Sequence, residues 1–214
     1  MIETPIDYNE EDQAVVSAFE ALAPEEQDGS FWSDLALNEL KSRVKAYYIT
    51  AQNTRCCYCD RHLGSTNHGV WNTEHVASRA SHPRFMFKPT NLAASCPDCN
   101  INKGVKEVLT TPNRKTYPKT SSPRTSSAFL IIHPHFDRYE DHIHRINMVY
   151  LPKSKKGKKT IFVCDLLRFA QNFIDWENSA ADTSFEEEVD TVFDEEPTVS
   201  QAAVDAVIAK LPIK

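Results

Sequence analysis

The chain has 214 residues, a formal net charge of −6 and a hydrophobic fraction of 41%, which suit one domain with extensions and a buried core. No apolar run is long enough for a membrane helix, and residues 1–13 lack the basic-then-apolar order of a signal peptide. We therefore expect a cytoplasmic protein without a membrane span. In a reducing cytoplasm, the six cysteines indicate metal ligands or free thiols rather than disulfides.

Charge is distributed unevenly along the chain. Residues 1–30 carry nine acids and no lysine or arginine, and residues 171–214 carry 11 acids against two lysines. Residues 101–170, in contrast, carry 14 lysines and arginines against five acids. A basic middle region between acidic ends favours contact with a polyanion such as nucleic acid. Uneven but solvated surface charge is the alternative explanation.

Hydrophobic periodicity predicts two helices before the first cysteine, at residues 9–22 and 33–50, each with one apolar stripe. Residues 111–127 are rich in proline, serine and threonine and predict a loop. Two apolar runs predict short strands at residues 128–132 and 146–151.

The last third of the chain begins with a basic turn predicted at residues 153–159, followed by a helix predicted at residues 161–176. Residues 182–196 hold eight acids and no basic residue, which is typical of a flexible tail. A final helix is predicted to start at Ser200 and to end before Pro212.

These elements predict four segments. An N-terminal helical extension covers residues 1–52, and residues 53–110 hold the cysteines and the candidate site. Residues 111–180 complete the domain with a basic loop, a strand pair and a helix. Residues 181–214 form an acidic tail with a short helix.

Four cysteines are arranged as two CxxC pairs, Cys56 with Cys59 and Cys96 with Cys99. Two such turns can close a tetrahedral site around Zn²⁺. The 36 residues between the pairs exceed the spacing of a compact zinc ribbon, so the insert must itself be folded. Four protein ligands leave no open position, and the zinc site is therefore expected to be structural. Unrelated buried thiols are the alternative.

Polar residues stand in a specific order around these cysteines. Glu74 and His75 lie inside the insert, Asn91 follows, and Asn100 and Lys103 come after the last cysteine. Over residues 56–106, this order resembles the zinc-bearing branch of the HNH endonucleases. The resemblance implies an α+β protein with a ββα-metal core, a CxxC/CxxC zinc knuckle and flanking helices, which hydrolyses phosphodiester bonds.

The same resemblance implies a role for each polar residue. His75 would be the general base that activates water, and Glu74 and Asn100 would bind a catalytic Mg²⁺ or Mn²⁺. Asn91 would orient the base or brace its loop, and Lys103 would contact a phosphate. Hard oxygen donors for this ion and soft thiolates for zinc give two distinct metal sites.

Two positions depart from the commonest family pattern. Asn100 stands where the family most often has histidine, and Glu74 stands where it most often has aspartate. Both residues offer an oxygen donor, so the departures put the choice of metal in doubt more than the activity. A degenerate fold that only binds nucleic acid is the alternative.

Two groups of basic residues are predicted to contact phosphates, since backbone neutralisation needs charge and no sequence reading. They are Arg114, Lys115, Lys119 and Arg124 in the predicted loop, and Lys153, Lys155, Lys156, Lys158 and Lys159 in the predicted turn.

Four further histidines are His133, His135, His142 and His144. They allow a second metal site, but their surroundings favour ordinary polar packing.

Residues 131–143 (IIHPHFDRYEDHI), together with the cysteine motif, resemble in outline the small HNH nucleases of anti-phage defence, of the Septu, retron-linked and Zorya types. The resemblance implies an effector that acts on DNA rather than RNA under the control of an ATPase or another partner protein. Three alternatives remain open: a catalytically silent zinc-knuckle module that binds nucleic acid, an RNA-cleaving toxin-like effector, and a scaffold protein docked on an ATPase.

Overall fold

The protein combines helices with two small antiparallel sheets, which confirms the α+β class. The computed structural model describes residues 1–110, 122–171, 192 and 200–210. Within these residues β1 pairs with β2, and β3 pairs with β4. In chain order the elements are α1 Glu10–Ala21, α2 Asn38–Ala51, β1 Asn72–His75, β2 Leu92–Ser95, α3 Pro97–Lys103, β3 Ile143–Ile146, β4 Val149–Pro152, α4 Lys155–Val163, α5 Arg168–Gln171 and α6 Gln201–Lys210.

Helix α1 forms where the periodicity predicted it. Asn9 caps the helix, because its side chain accepts a hydrogen bond from the Asp12 amide at 2.8 Å. Val16 and Phe19 point inward and are buried. The ring of Phe19 lies 5.2 Å from that of Phe87, nearly edge-on, so α1 packs against the loop that precedes β2.

Helix α2 begins at Asn38, later than the start predicted at residue 33. Two short 3-10 turns precede it, and the Asp34 side chain caps the second by accepting a hydrogen bond from the Ala36 amide at 2.9 Å. Such local competition from an aspartate is not visible to hydrophobic periodicity. The predicted apolar stripe of α2 packs against β2.

Strands β1 and β2 form an antiparallel pair whose register places His75 opposite Leu92. Helix α3 follows β2 directly, so the chain runs strand, strand, helix through the candidate site. The side chain of Gln52 extends the edge of β2. Its amide nitrogen donates to the Ala94 carbonyl at 2.8 Å, and its oxygen accepts from the Ala94 amide at 2.7 Å. These bonds fix the end of α2 against the strand pair.

The strand predicted at residues 128–132 is wrong. Phe129 makes one isolated bridge to Leu109, and the Ile132 amide donates to the Thr160 hydroxyl at 2.9 Å instead of to a strand. Phe129, Ile131 and Ile132 are buried, so the apolar pattern of this run indicated burial rather than strand pairing.

The strand predicted at residues 146–151 is instead a turn and one arm of the hairpin formed by β3 and β4. Asn147 has a positive φ of 52°, which reverses the chain between Ile146 and Val149, and these two residues pair across the hairpin. Apolar residues on both sides of a two-residue turn look like one continuous strand in the sequence, which explains the error.

The basic turn predicted at residues 153–159 is also wrong, because most of it belongs to α4. Ser154 caps the helix, and its hydroxyl accepts a hydrogen bond from the Gly157 amide at 3.1 Å. A Cβ atom at Gly157 would overlap the carbonyl of His142. This glycine therefore permits a close approach between α4 and the start of β3 rather than a turn.

The helix predicted at residues 161–176 is interrupted where the structure describes it. Helix α4 ends in a Schellman motif, in which Asp165 adopts a positive φ of 51° and the Leu166 amide donates to the Ile161 carbonyl at 2.9 Å. Glycine is the usual residue at this position, so the aspartate gave no signal in the sequence.

Two of the four further histidines are packed into the core. His133 and His135 are buried, and the amide of His135 donates to Nδ1 of His133 at 3.2 Å. The ring of His135 hydrogen-bonds through Nε2 to the Leu92 carbonyl at 2.8 Å. The segment at residues 131–143 thus reaches the back of β2.

Some sequence expectations fall outside the described residues. They concern Arg114, Lys115 and Lys119, the part of the predicted helix beyond residue 171 and, apart from Val192, the acidic segment at residues 182–196. The final helix is described and confirmed as α6. None of the described helices is long and apolar enough to cross a membrane.

Replacing Gly157 by alanine tests the contact between α4 and β3. Helix propensity alone favours alanine by about 1 kcal/mol, but overlap with the His142 carbonyl is expected to outweigh it and destabilise the protein by about 1–3 kcal/mol. Urea unfolding followed by circular dichroism measures the change. Lys159→Ala, at an exposed position of the same helix, is the control and should be nearly neutral. A stabilised Gly157→Ala variant would contradict the close approach.

Candidate functional site

Four cysteines from two distant chain segments meet in one buried cluster. The sulfur atoms of Cys56, Cys59, Cys96 and Cys99 all lie within 4.8 Å of one another, and all four residues are free thiols. In a tetrahedral zinc site, a Zn–S distance of about 2.3 Å places sulfurs roughly 3.8 Å apart. The Cys59 and Cys96 sulfurs are 4.0 Å apart. The cluster fits a zinc ion, as the sequence predicted.

Hydrogen bonds from a backbone amide and from a neighbouring side chain support the sulfur atoms of the cluster. The Cys96 amide, at the start of α3, donates to the Cys56 sulfur at 3.3 Å. From α5, the Arg168 guanidinium donates to the Cys99 sulfur, also at 3.3 Å. Donors of this kind stabilise thiolates and so favour metal binding.

Strand β4 reaches the cluster through Tyr150. Its hydroxyl donates to the Cys59 carbonyl at 2.9 Å, and its ring packs on Phe169 of α5 with 5.6 Å between the centroids. The C-terminal half of the described chain therefore touches the cysteine cluster at more than one point.

The thiols perturb one another in opposite directions. Burial opposes ionisation of Cys56, but hydrogen bonds from the neighbouring cysteines lower its pKa well below the usual value. The pKa of Cys99 is raised by hydrogen bonds with Cys56, Cys59 and Cys96. Four crowded thiols cannot all ionise without a cation to balance them, and a divalent ion supplies that charge.

Cys57 and Cys164 lie outside the cluster. Both are buried, and burial raises the pKa of each thiol well above its usual value. They are core residues, as expected.

A cleft of about 710 Å³ opens between α2, β1 and α3. Glu74, His75, Asn100 and Lys103 line it together, so the structure gathers four of the five predicted polar residues in one place. Asn91 is buried and is not among the residues that line the cleft.

The carboxylate of Glu74 is buried and fully engaged. It accepts hydrogen bonds from the Tyr58 hydroxyl at 3.0 Å and from the Asn100 side-chain amide, and the Lys103 ammonium lies 2.6 Å away. Burial raises the pKa of Glu74 above its ordinary value, and the charge of Lys103 opposes that shift.

Lys103 is buried, with 2% of its side chain exposed. Besides its ion pair with Glu74, its ammonium donates to the His75 carbonyl at 2.8 Å. It thus bridges two consecutive residues of β1. The phosphate contact predicted for Lys103 stays a prediction, because in the described structure the ammonium is bound to protein groups.

The ring of His75 is neutral and tightly packed. Burial, followed by the cations Arg79 and Lys103, lowers the pKa of His75 to about 3. The ring stands edge-on to Trp32 with 4.6 Å between the centroids, and its Nε2 atom has no hydrogen-bond partner among the described residues. A neutral imidazole with an unpartnered nitrogen can accept a proton.

Asn91 braces the loop that follows β1. Its side-chain oxygen accepts a hydrogen bond from the Ala77 amide at 2.8 Å, and its nitrogen donates to the carbonyls of Ala77 at 3.1 Å and Phe85 at 3.0 Å. These bonds brace the loop, and the role of Asn91 in orienting the base stays a prediction.

The predicted basic surface lies elsewhere. Within the described residues, none of the lysines at 153–159 lines the cleft. Lys156 instead forms an ion pair with Asp137 at 2.6 Å, and Lys153 donates to the Glu140 carbonyl at 2.6 Å. Arg124 is exposed. Their phosphate contacts stay predictions.

Several residues that line the cleft were missed by the sequence analysis. They come from α2, from the turns before it and from the loops around β1, outside or between the motif positions: Trp32, Asn38, Lys41, Ser42, Lys45, His68, Asn72 and Arg79. For the residues on α2, the only signal in the sequence was the polar side of the helical pattern. That pattern does not show what the polar side faces.

Comparison with known proteins gives one distant relative. The chain is 27% identical over 126 residues to the Septu protein PtuB of Bacillus thuringiensis, and the match covers 59% of this chain and 42% of that protein. The chain therefore spans less than half the length of the curated relative. No known family model matches the chain.

Zinc content tests the cysteine cluster. Cys96→Ala removes one of the four sulfurs and should release the metal, whereas Cys57→Ala removes a buried thiol next to the cluster and should not. We expect about one zinc ion per chain in the purified protein and in Cys57→Ala, and little in Cys96→Ala, by elemental analysis. Equal zinc in the two variants would contradict the site.

The bracing role of Asn91 predicts a loss of stability. Asn91→Ala leaves one amide and two carbonyls without their partner in a buried loop, at a cost of about 1–3 kcal/mol for each unsatisfied group. Urea unfolding should show a decrease of at least this size. The control is Asn67→Ala, since Asn67 is exposed and bonds only within its own turn. Similar small losses in both variants would contradict the prediction.

Proposed function

We propose that this chain is a metal-dependent endonuclease of the HNH type, which hydrolyses phosphodiester bonds of nucleic acid and acts on DNA in preference to RNA. The observation that carries the proposal is the meeting of Glu74, His75 and Asn100 in one cleft, on two antiparallel strands followed directly by a helix. This element order is the one that the resemblance implies for a ββα-metal core. The four-cysteine cluster at the start of that helix supports the zinc knuckle.

Glu74 and Asn100 are the residues that would hold a catalytic Mg²⁺ or Mn²⁺. A carboxylate and an amide offer the hard oxygen donors that these ions prefer. In the described structure the Lys103 ammonium lies 2.6 Å from the Glu74 carboxylate, and the Asn100 side chain presents its nitrogen rather than its oxygen to Glu74. An ion would therefore bind only after it displaced the ammonium and the Asn100 amide turned over. When bound, the ion would neutralise charge that develops on the phosphate oxygens.

His75 would act as the general base. Its Nε2 is buried and has no hydrogen-bond partner among the described residues, and this atom would accept a proton from an attacking water that enters beside it. The Trp32 ring against one side of the imidazole holds it in place, and the negative charge of a bound phosphodiester would raise its pKa from the low value in the free protein. Lys103 and Asn91 would be positioning residues, since they act on β1 and on the loop after it.

We further propose a role in prokaryotic anti-phage defence, in which a partner protein such as an ATPase controls the nuclease. The similarity to the Septu protein PtuB supports this role, as does the Septu-like segment at residues 131–143. In the structure that segment contacts the strand pair of the cleft, because His135 bonds the carbonyl of Leu92, the residue that pairs with His75. Partner control could reach the cleft along this path.

Cleavage of supercoiled plasmid with Mg²⁺ or Mn²⁺ tests the nuclease. The unmodified chain should nick or linearise the plasmid, and His75→Ala should lower the rate by about 10²–10⁴-fold, as expected for loss of a general base. His144→Ala is the matched control, since His144 is exposed and does not line the cleft. It should cleave at the normal rate.

The same assay separates the alternatives. An RNA substrate cut in preference to plasmid would favour the RNA-cleaving effector. Binding without cleavage of either substrate, even with the proposed ATPase partner added, would favour the silent binding module. Cleavage that survives in His75→Ala would show that this cleft is not the nuclease site.

A further inference from the structure

The wall of the cleft opposite the candidate catalytic residues is formed by one side of α2. Four polar residues at positions i, i+3, i+4 and i+7 of this helix line the cleft: Asn38, Lys41, Ser42 and Lys45. This spacing places them in one stripe along the helix. The other side of α2 is buried against β2, so the stripe has a fixed orientation toward the cleft.

The cleft has a charge opposite to that of the chain. Residues 1–52 carry 11 acids against three basic residues, Lys41, Arg43 and Lys45, yet two of those three line the cleft. Glu74 is the only acid among the described residues that line it, and its charge is already balanced by Lys103. The side of α2 that lines the cleft therefore carries a net positive charge, although residues 1–52 as a whole are acidic.

Neither of these lysines is neutralised by a carboxylate. Lys41 donates to the carbonyls of Trp32 at 3.3 Å and Asp34 at 3.0 Å, and Lys45 donates to the carbonyl of His68 at 3.3 Å. Among the described residues, no acid lies within ion-pair distance of either ammonium. Arg43, on the other side of the helix, pairs with Asp12 at 2.6 Å. The positive charges of the two cleft lysines therefore remain available to bind an anion.

From this placement we propose that the polar stripe of α2 is the main backbone-binding wall of the cleft and holds the phosphates next to the scissile bond, with Lys41 and Lys45 as its charged contacts. The proposal rests on the nuclease function proposed above. Lysines one turn apart are separated by about 6 Å along the helix axis, which suits contacts to neighbouring phosphates of one strand. Asn38 and Ser42 can add neutral hydrogen bonds to phosphate oxygens.

This wall differs from the basic surface that the sequence predicted. The lysines at residues 153–159 are more numerous but do not line the cleft within the described structure, and one of them, Lys156, is already paired with Asp137. The number of basic residues in a stretch of sequence is therefore a poorer guide to phosphate contact than a position beside Glu74 and His75.

Salt-dependent binding tests the proposal, with a fluorescein-labelled 30-base-pair DNA duplex as the probe and His75→Ala as the background that prevents cleavage. The double variant Lys41→Gln/Lys45→Gln removes two charges from the wall. The comparison variant, Lys155→Gln/Lys159→Gln, removes two exposed charges with the same spacing from α4, where the sequence predicted phosphate contacts. Both double variants change the net charge equally.

The α2 variant should bind about tenfold more weakly at low salt, and the slope of log affinity against log salt should fall by about 2, or roughly one unit per lost phosphate contact. Lys41→Arg/Lys45→Arg should restore both values. In the active background, the glutamine pair should raise KM more than it lowers kcat, because uniform binding is lost. Thermal unfolding of each variant checks that α2 stays folded.

Two outcomes would overturn the proposal, and they are distinguishable. If the duplex binds and the plasmid is cut, but the α4 pair changes the salt slope while the α2 pair does not, the wall is elsewhere and the nuclease function stands. If the parent chain neither binds nor cuts DNA or RNA with any metal or partner, the nuclease function fails and this proposal fails with it.

Discussion

The joining of two chain segments at the cysteine cluster is the constraint on which the site depends. The first pair of cysteines follows α2 and the second pair begins α3, so the cluster holds both ends of the insert that contains β1 and β2. Four-residue strands such as β1 and β2 form only a small sheet, and an isolated two-stranded sheet is at most marginally stable in water. A zinc ion bound by the cluster would close the insert, with α2 packed behind it, and supply the order that the strands lack.

Inside that frame the cleft keeps two opposite charges out of water. The ion pair between Glu74 and Lys103 is buried on both sides, and such pairs seldom add net stability, since desolvation cancels much of the attraction. They do fix geometry, because neither charge can move without leaving the other uncompensated. Here the pair connects β1 to the last turn of α3, and the additional bond from Lys103 to the His75 carbonyl holds the backbone beside the imidazole.

The sequence predicted the site better than the fold around it, for physical reasons. The cysteine pairs were identified because zinc chemistry permits few residue types at few spacings. Glu74, His75 and Asn100 were identified through the resemblance to HNH endonucleases. The cleft wall formed by α2 was not identified, because in the sequence Lys41 and Lys45 cannot be told from the lysines of an ordinary solvent-exposed helix face. The errors in the second half arose at Asn147, Gly157 and Asp165, where a single backbone conformation or close approach decides the local structure. Periodicity averages over several residues and does not detect such points.

The bonds from Arg168 to the Cys99 sulfur and from Tyr150 to the Cys59 carbonyl have a consequence for how the molecule comes apart. They attach a hairpin and a helix from the second half of the chain to a cluster whose ligands come from the first half. When the sulfur atoms separate, α5 and β4 lose the hydrogen bonds that hold them against the cluster. When the hairpin unfolds, part of the cluster becomes exposed to solvent. The two halves of the chain therefore unfold as one cooperative unit. Opening of the cysteine cluster is expected to destabilise β4 and α5, which lie at least 50 residues after Cys99 in the sequence.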